Sequence, residues 1–402
     1  MNTTGTPASR RVALLFTRFP IATETFLQRE VEALRRLHPK LAILSMWPSP
    51  PPDRRGPRAD HDFSPWHLFS LFWWIPYWTI RSPRVMTRFA TTLVQSRLPN
   101  PINIWETLLG FGYAISRAHS MEGRYDHLHA VWASAPATAA WALSHLAGIP
   151  YSMAGHAYDL FEHGGDGLLE VKIPEAEFIR TSTDVGKRRW VQHGAGASQV
   201  HVIRRGILDL PEFIPHKALS SPVRILSVGR LVEKMGYPVL LETLSQLRQA
   251  GVEFKATIVG GGPLQQELEI RCRQLGLANR VEFTGALPFG EVTAHLQEAD
   301  LFLFTGQVAR SGDRAGFPNA IGEAMAWGVP VCATAVGAVG EGIRHKETGL
   351  IFEEPRQAVE AIIRLLASPH DYEQVRRQAR QWVERDFDAS ENMRHLAALL
   401  AG

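Results

Sequence analysis

VRILSVGRLVEKMGYPVLLETLSQLRQAGVEFKATIVGGGPL, residues 223–264, decides the fold. The apolar run VRILSVG (223–229) predicts a strand that breaks at a glycine. Residues 237–250 predict a helix, and EFKATIVG (253–260) a second strand that again ends in glycines. Strand, crossover helix and strand make a parallel βαβ unit. Working outward, the alternation continues with helices over 264–275, 289–298 and 319–327. Strands are expected at 280–285, 300–305, 329–334 and 349–354, and closing helices near 356–367, 371–385 and 389–400.

The first half repeats the scheme less regularly. Strands are expected at 11–17, 41–47, 127–133, 149–155, 177–183 and 199–205. Helices are expected over 24–37, with Thr23 as N-cap and Thr25 beside it, and over 83–96, 102–120 and 135–147. PSPPPDRRGPR after the second strand is compatible with neither helix nor central strand. The pattern breaks again at IPHKALSSP, near 205–221. The expectation is an α/β chain of two doubly wound, Rossmann-like parallel-sheet domains facing across a cleft. The domains are 1–205, with a Pro/Arg- and aromatic-rich insertion at 48–100, and 206–385. A final helix, 386–402, is expected to pack back on the first domain. Ligands in such sheets bind beyond the C-terminal ends of the strands.

Composition narrows the partners. The 402 residues are 45% hydrophobic and 21% charged, near the globular average, with a net charge of +3. That balance suits an anionic ligand or membrane surface and falls short of a nucleic-acid footprint. Cys272 and Cys332 stand alone, outside any metal-ligand spacing, as in a protein of a reducing compartment. The polar, then basic, opening MNTTGTPASRR leads into a strand and not a signal peptide, so a cytoplasmic protein is expected. FSPWHLFSLFWWIPYWTI (63–80) is shorter than the roughly 20 apolar residues of a membrane span and carries Pro65, His67 and Pro76. Its tryptophans lie among Arg54, Arg55, Arg58, Arg81, Arg84 and Arg88, a pattern suited to peripheral contact with anionic lipid through 63–88. A helix buried in the first domain, followed by a loop, is the alternative.

Four strand-end loops in the second half carry the candidate chemistry. VGRLVEKMG (228–236) presents Arg230 and Lys234, cations suited to a diphosphate. IVGGGPL (258–264) brings Gly261 and Gly262 to a turn where backbone can approach an anion. In GDRAGFPNAIGEAMAWGVPVCAT (312–334), Phe317 and Pro318 stop the loop and Asn319 opens a helix whose dipole favours phosphate. Glu323, four residues on, lies on the same face, where a carboxylate can accept from two ribose hydroxyls. TAVGAVGEGI (334–343) adds another amide-rich turn. Taken singly, each loop is also read as ordinary surface.

VGR…KxG, IVGGGPL, RVEFTG, ADLFLF, GFPNAIGEAMAWGVPV and TGL, in that order, resemble the C-terminal domain of glycosyltransferase family 4, the retaining GT-B enzymes. RFPIATETFLQREVEAL (18–34) and HAVWASAPATAAWALSHLAGIPYSMAGHAYDLF (129–161) resemble its exopolysaccharide, colanic-acid-type branch. The resemblance implies a nucleoside-diphosphate-sugar donor, a glycan or lipid-linked glycan acceptor, retained anomeric configuration and no metal. Arg230 would grip the diphosphate with Lys234 nearby, Glu323 would hold the ribose, and Gly261 and Gly262 would line the donor site. Amides near Asn319, Ala320 and Ile321 would meet phosphate or sugar. His156 would face the donor sugar, although by itself it also reads as a core histidine after a strand. Glu24 and Thr25 are candidates for acceptor contact.

Two positions depart from the family pattern. Ala315 stands where the family has a glutamate, eight residues before Glu323, and Met235 where it has a lysine. A relative that binds a nucleotide or partner enzyme without efficient turnover is therefore the alternative function. A sugar-nucleotide epimerase ranks below both.

Overall fold

Val12–Phe16 (VALLF) is buried along its whole length, as expected of a strand covered on both faces in a parallel sheet. This strand, β1, is paired on both sides: with β2 (Leu41–Ser45), and with the strand that begins at His127. The computed structural model describes residues 10–21, 25–48, 57–62, 64–96, 98, 100–207, 209–215 and 218–402, without the side chains of Thr25, Asp62 and Pro65. Thr23 and Glu24 lie outside the described residues, as does the Thr25 side chain.

The chain divides into two units, Met1–Ile203 with Ser390–Gly402, and Arg204–Ala389. In the first, β1 is followed by α1 (Thr25–Leu37), β2, β3 (His61–Asp62), α2 (Leu71–Arg81), α3 (Pro83–Gln95) and α4 (Pro101–Met121). Then come β4 (His127–Ala130), α5 (Ala135–Ala147), β5 (Tyr151–Ala154), α6 (Tyr158–Phe161), α7 (Leu169–Lys172), β6 (Ile179–Thr181), α8 (Asp184–Gln192) and β7 (Val200–Val202). The seven strands run in the order β3-β2-β1-β4-β5-β6-β7, all parallel.

The second unit holds β8 (Val223–Val228), α9 (Tyr237–Gln249), β9 (Phe254–Val259), α10 (Gln265–Gln274), β10 (Val281–Gly285), α11 (Phe289–Glu298) and β11 (Leu301–Phe304). It continues with α12 (Asn319–Ala326), β12 (Val331–Thr334), α13 (Val339–Gly342), β13 (Leu350–Phe352), α14 (Pro355–Ala367) and α15 (Pro369–Asp386). Its sheet order is β10-β9-β8-β11-β12-β13, again parallel. The order reverses between β8 and β11, the switch point at which doubly wound sheets open a crevice. The last helix, α16 (Ala389–Ala401), buries Met393, Leu396 and Leu400, and all but its first residue fall in the first unit.

Every expected strand and helix is present, with ends displaced by up to three residues, and the expected α5 and α11 fall on the same residues. Strands are shorter than their apolar runs because the outermost residues already leave the ladder for loops. The aromatic segment contains an element that periodicity did not single out. A 3₁₀ turn at Pro65–Ser70 leads into α2, which has Pro76 within it. Trp78 anchors α2: it is 1% exposed, and its indole N–H donates to the Ile115 carbonyl of α4 at 3.0 Å. Among the described residues no helix is long and apolar enough to cross a membrane.

Candidate functional site

Register brings the four loops of the second unit to one edge. β8 and β9 pair from Val223↔Phe254 to Val228↔Val259, so Gly229 and Gly260 leave the sheet side by side. The approach is so close that a Cβ on Gly260, whose φ is 141°, would lie 1.9 Å from the Gly229 carbonyl oxygen. Gly236, with φ 65°, is held as tightly: a Cβ there would meet the Thr305 carbonyl oxygen at 1.7 Å. These glycines are required by loop-on-loop packing.

Hydrogen bonds join the loops into a continuous rim. The Leu231 N–H donates to Gly261 O at 3.0 Å, and Leu264 N–H to Leu231 O at 3.1 Å. Gln307 N–H donates to Lys234 O at 2.9 Å, and Thr305 Oγ1 to Gly236 O at 2.9 Å. Thr334 Oγ1 donates to Gly306 O at 2.6 Å, fastening the loop after β11 to β12.

The rim sorts the residues named from sequence. Arg230 is exposed, and its guanidinium makes no hydrogen bond or ion pair among the described residues. Lys234 Nζ is engaged: it donates to Asp313 Oδ2 at 2.7 Å, in a pair only 13% and 18% exposed. Gly261 opens outward, since a Cβ there would find nothing nearer than 3.9 Å, whereas one on Gly262 would lie 2.5 Å from the Leu231 oxygen. Gly262 therefore serves the packing of its loop against its neighbour.

Phe317 turns into the unit's core, with ring centroids 5.2 Å from Trp382 and 5.4 Å from Phe387, and so seats the loop that precedes α12. Pro318 takes the N-cap position with φ −66° and ψ 125°, which makes Asn319 the first helical residue. Ile321 is fully buried and its N–H donates to Pro318 O at 3.0 Å. The N–H groups of Asn319 and Ala320 have no acceptor among the described residues, as the first turn of a helix leaves them. Asn319 Oδ1 is also buried, with no hydrogen-bond partner among the described residues. Glu323, one turn further, is 9% exposed. A separate recess of about 570 Å³ lies by the edge strand β13 and α14, away from these loops.

In the first unit, His156 is 3% exposed and packs edge-on against Trp132, at 5.8 Å between ring centroids. Its loop is tied by Asp159, which sequence reasoning passed over. Asp159 accepts from the N–H groups of Ala133 at 3.1 Å, His156 at 3.1 Å and Ala157 at 2.9 Å. Burial raises the Asp159 carboxyl above its ordinary range against those bonds. Nearby, Tyr158 donates to Glu106 of α4 at 3.2 Å and lies 3.0 Å from Ser134 Oγ. Burial, with Asp166 adding repulsion, pushes Glu106 up to about 7. These groups line a small cavity of about 30 Å³, enough for one water. Spacing in the sequence gives no hint of this cluster, because its members come from α4, the loop after β4, α6 and the loop that follows it.

Known proteins agree with this fold. Residues 212–382, within the second unit, match the family described as glycosyl transferases group 1. The chain is 36% identical over 229 residues to the amylovoran biosynthesis glycosyltransferase AmsK of Erwinia amylovora, covering 56% of each chain. It is 34% identical over 225 residues to the putative colanic acid biosynthesis glycosyltransferase WcaL of Escherichia coli K12, covering 54% of this chain and 55% of that one. The chain thus spans about half the length of the curated relatives it matches. Among solved structures, Anabaena Alr3699/HepE in complex with UDP is similar with a TM-score of 0.68 at 17% identity, over 97% of this chain and 99% of that one. The sucrose-phosphate synthase of Thermosynechococcus elongatus is similar with a TM-score of 0.68 at 16% identity, over 96% and 97%. The two doubly wound sheets are those of the GT-B glycosyltransferase fold.

Proposed function

We propose that the protein transfers a sugar from a nucleoside-diphosphate sugar to a glycan or lipid-linked glycan acceptor in exopolysaccharide synthesis, on the cytoplasmic side of the membrane. One observation carries the reading: the rim of four strand-end loops holds the exposed Arg230 beside the switch point, followed by a helix N-terminus with two open amides. Arg230 grips the diphosphate, the amides of Asn319 and Ala320 add donors, and Glu323 takes the ribose hydroxyls. Gly261 lets the donor lie close to backbone, and His156 faces the sugar. Lys234 assists at the diphosphate, and Glu24 and Thr25 contact the acceptor.

In the transfer, the bond from the anomeric carbon to the diphosphate oxygen breaks and a bond to the acceptor hydroxyl forms on the same face, retaining configuration. The hydroxyl proton leaves with the diphosphate. Charge growing on the leaving group is met by Arg230 and helix amides already in place. The diphosphate is neutralised by these groups and not by a metal, so a chelator leaves transfer unchanged.

Thermal denaturation with UDP, GDP, ADP, dTDP and their common sugar conjugates tests this. One nucleotide at a hundred times its Kd stabilises by about 2.7 kcal/mol. Glu323→Ala weakens that nucleotide by roughly ten- to a hundredfold, the 1.5–3 kcal/mol typical of a bond to a charged group. Stabilisation by none of them overturns the reading.

Two observations favour binding without efficient turnover as a second reading. Lys234 is already paired with Asp313, and Met235 packs its methyl over Gly229, 2.3 Å from where a Cβ would stand. A purified protein that binds donor but transfers nothing, until Ala315→Glu and Met235→Lys are combined, would establish it.

A further inference from the structure

Helix α2 is apolar on every side, which is unusual for a surface helix. One side is spent inside the first unit, where Trp78 is buried and Leu71, Trp74 and Tyr77 are packed against the core. The other side is not covered. Phe72 is 79% exposed, Trp73 80% and Ile80 84%, with Trp66 76% and Phe69 61% exposed on the preceding 3₁₀ turn. Single exposed apolar residues need no explanation, but several adjoining aromatic ones do.

The face continues onto a second element. α2 runs alongside α4 in the same direction. Leu71 lies against Gly112, Trp78 bonds to Ile115, and Arg81 pairs with Glu122 at 3.6 Å. The 3₁₀ turn also packs on α4, where Leu68 lies against Gly112, and the earlier turns of α4 leave Trp105 and Leu108 half exposed.

Charge selects the occupant. From residue 63 to residue 105 the chain has no Asp, Glu or Lys, and its charged residues are Arg81, Arg84, Arg88 and Arg97. Arg81 and Arg88 are paired with Glu122 and Glu175, while Arg84 is exposed and meets no acidic side chain among the described residues. A protein partner is ordinarily met by a polar rim with a hydrogen bond every 100–200 Å². A stretch of tryptophan, phenylalanine and arginine without a single acid instead suits the interface of an anionic bilayer, which takes amphipathic rings at headgroup level and attracts cations. At 11 residues α2 is too short to span, so it lies in the plane of the surface.

We propose that the 3₁₀ turn, α2 and the first turns of α4 form a docking face for an anionic lipid bilayer, with Trp66, Phe69, Phe72 and Trp73 inserted and Arg84 at the headgroups. The face goes beyond the transferase reading and stands whether or not that reading holds.

Co-sedimentation of the full chain with vesicles of equimolar phosphatidylglycerol and phosphatidylcholine tests it. The protein pellets with these vesicles at low ionic strength, pellets less with phosphatidylcholine alone, and is partly released by salt. Phe72→Ser combined with Trp73→Ser lowers partitioning by at least ~tenfold, and Arg84→Glu lowers it on anionic vesicles only. Both variants keep the wild-type melting temperature, because these side chains carry no core contact. Brominated lipid quenches tryptophan emission in the wild type and quenches it less in the double variant. The proposal is overturned if the wild type stays in the supernatant with anionic vesicles at low salt, or if the double variant pellets as well as the wild type. It is also overturned if vesicle-free sedimentation shows a dimer that the double variant abolishes while lipid binding is absent, since the occupant is then a second copy of the chain.

Discussion

The two units share the order of six strands, with a seventh at the edge of the first, yet organise the ends of their strands by opposite means. In the second unit the rim is built mostly from backbone: glycine-rich loops interlock through N–H···O bonds, with Lys234–Asp313 the shortest ion pair among their described residues. In the first, buried side-chain charges do the fastening. Lys172 pairs with Asp166 and also bonds to Ala133 O, with both charged groups at most 1% exposed. Arg180 holds Glu30 through two 2.8 Å bonds, and Asp159 ties three amides. A rim held mostly by backbone bonds needs few side-chain charges to keep its shape, which leaves Arg230 and the α12 amides available to an anion. A rim tied by buried charges is rigid but depends on every partner being present.

The largest expected effect therefore falls in the first unit. Lys172→Met leaves Asp166 buried without its cation and should cost about 3–5 kcal/mol in urea unfolding. A loss below about 1 kcal/mol would mean that the first unit does not depend on its buried charges. The counterpart in the second unit is Gly260→Ala, where both the φ of 141° and the 1.9 Å approach to Gly229 O oppose a side chain. It should cost on the order of 3 kcal/mol and lower nucleotide-induced stabilisation with it. A folded, fully binding Gly260→Ala would break the account of the backbone rim.

Acid should separate the units next. Burial lowers His127 to about 4 despite the neighbouring Glu177, and lowers His129 well below its ordinary value. The neutral form is thus favoured by folding. Its contribution is complete above pH 6.5 and is lost as pH falls from there towards 4, where the unfolded chain takes up the proton first. For His127 the loss is roughly 3 kcal/mol. No histidine of the second unit is buried among the described residues. Hydrogen exchange should show β4 and β5 opening before β8 and β9 as pH falls, and His127→Gln should flatten that dependence.

The smallest effect concerns Lys234. Its ion pair with Asp313 is less deeply buried than Lys172–Asp166, so Lys234→Met should cost less, about 1–3 kcal/mol of stability. Asp313→Asn releases the lysine and removes a negative charge from the rim, and should tighten nucleotide binding severalfold. Unchanged affinity would make Lys234 a loop fastener alone.

How much was legible follows from these same residues. The helices over 135–147 and 289–298, and the strands that end in glycine, were readable because their patterns are local. The short β3 was hidden after a proline-rich stretch, and α2 was legible only as one of two readings of 63–80, because a helix apolar on all sides has no period to detect. Arg230, Asn319 and Glu323 stood out as loop and helix-start residues. Asp159, Glu106 and the Asp166–Lys172 pair did not, since nothing in their spacing marks a shared site.

The sequence by itself determined two series of parallel βαβ units, the placing of glycines and cations at strand ends, and a segment of 43 residues without an acid. Only the tertiary structure decided that Lys234 is taken by Asp313, 79 positions away, that Gly262 is held by a neighbouring loop while Gly261 opens outward, and that Phe317 faces the core. The physical reason is one of range. Strand, helix and turn preferences act over a few bonds and are written along the chain, whereas the partner of a charge or the neighbour of a glycine is fixed by register between strands distant in sequence.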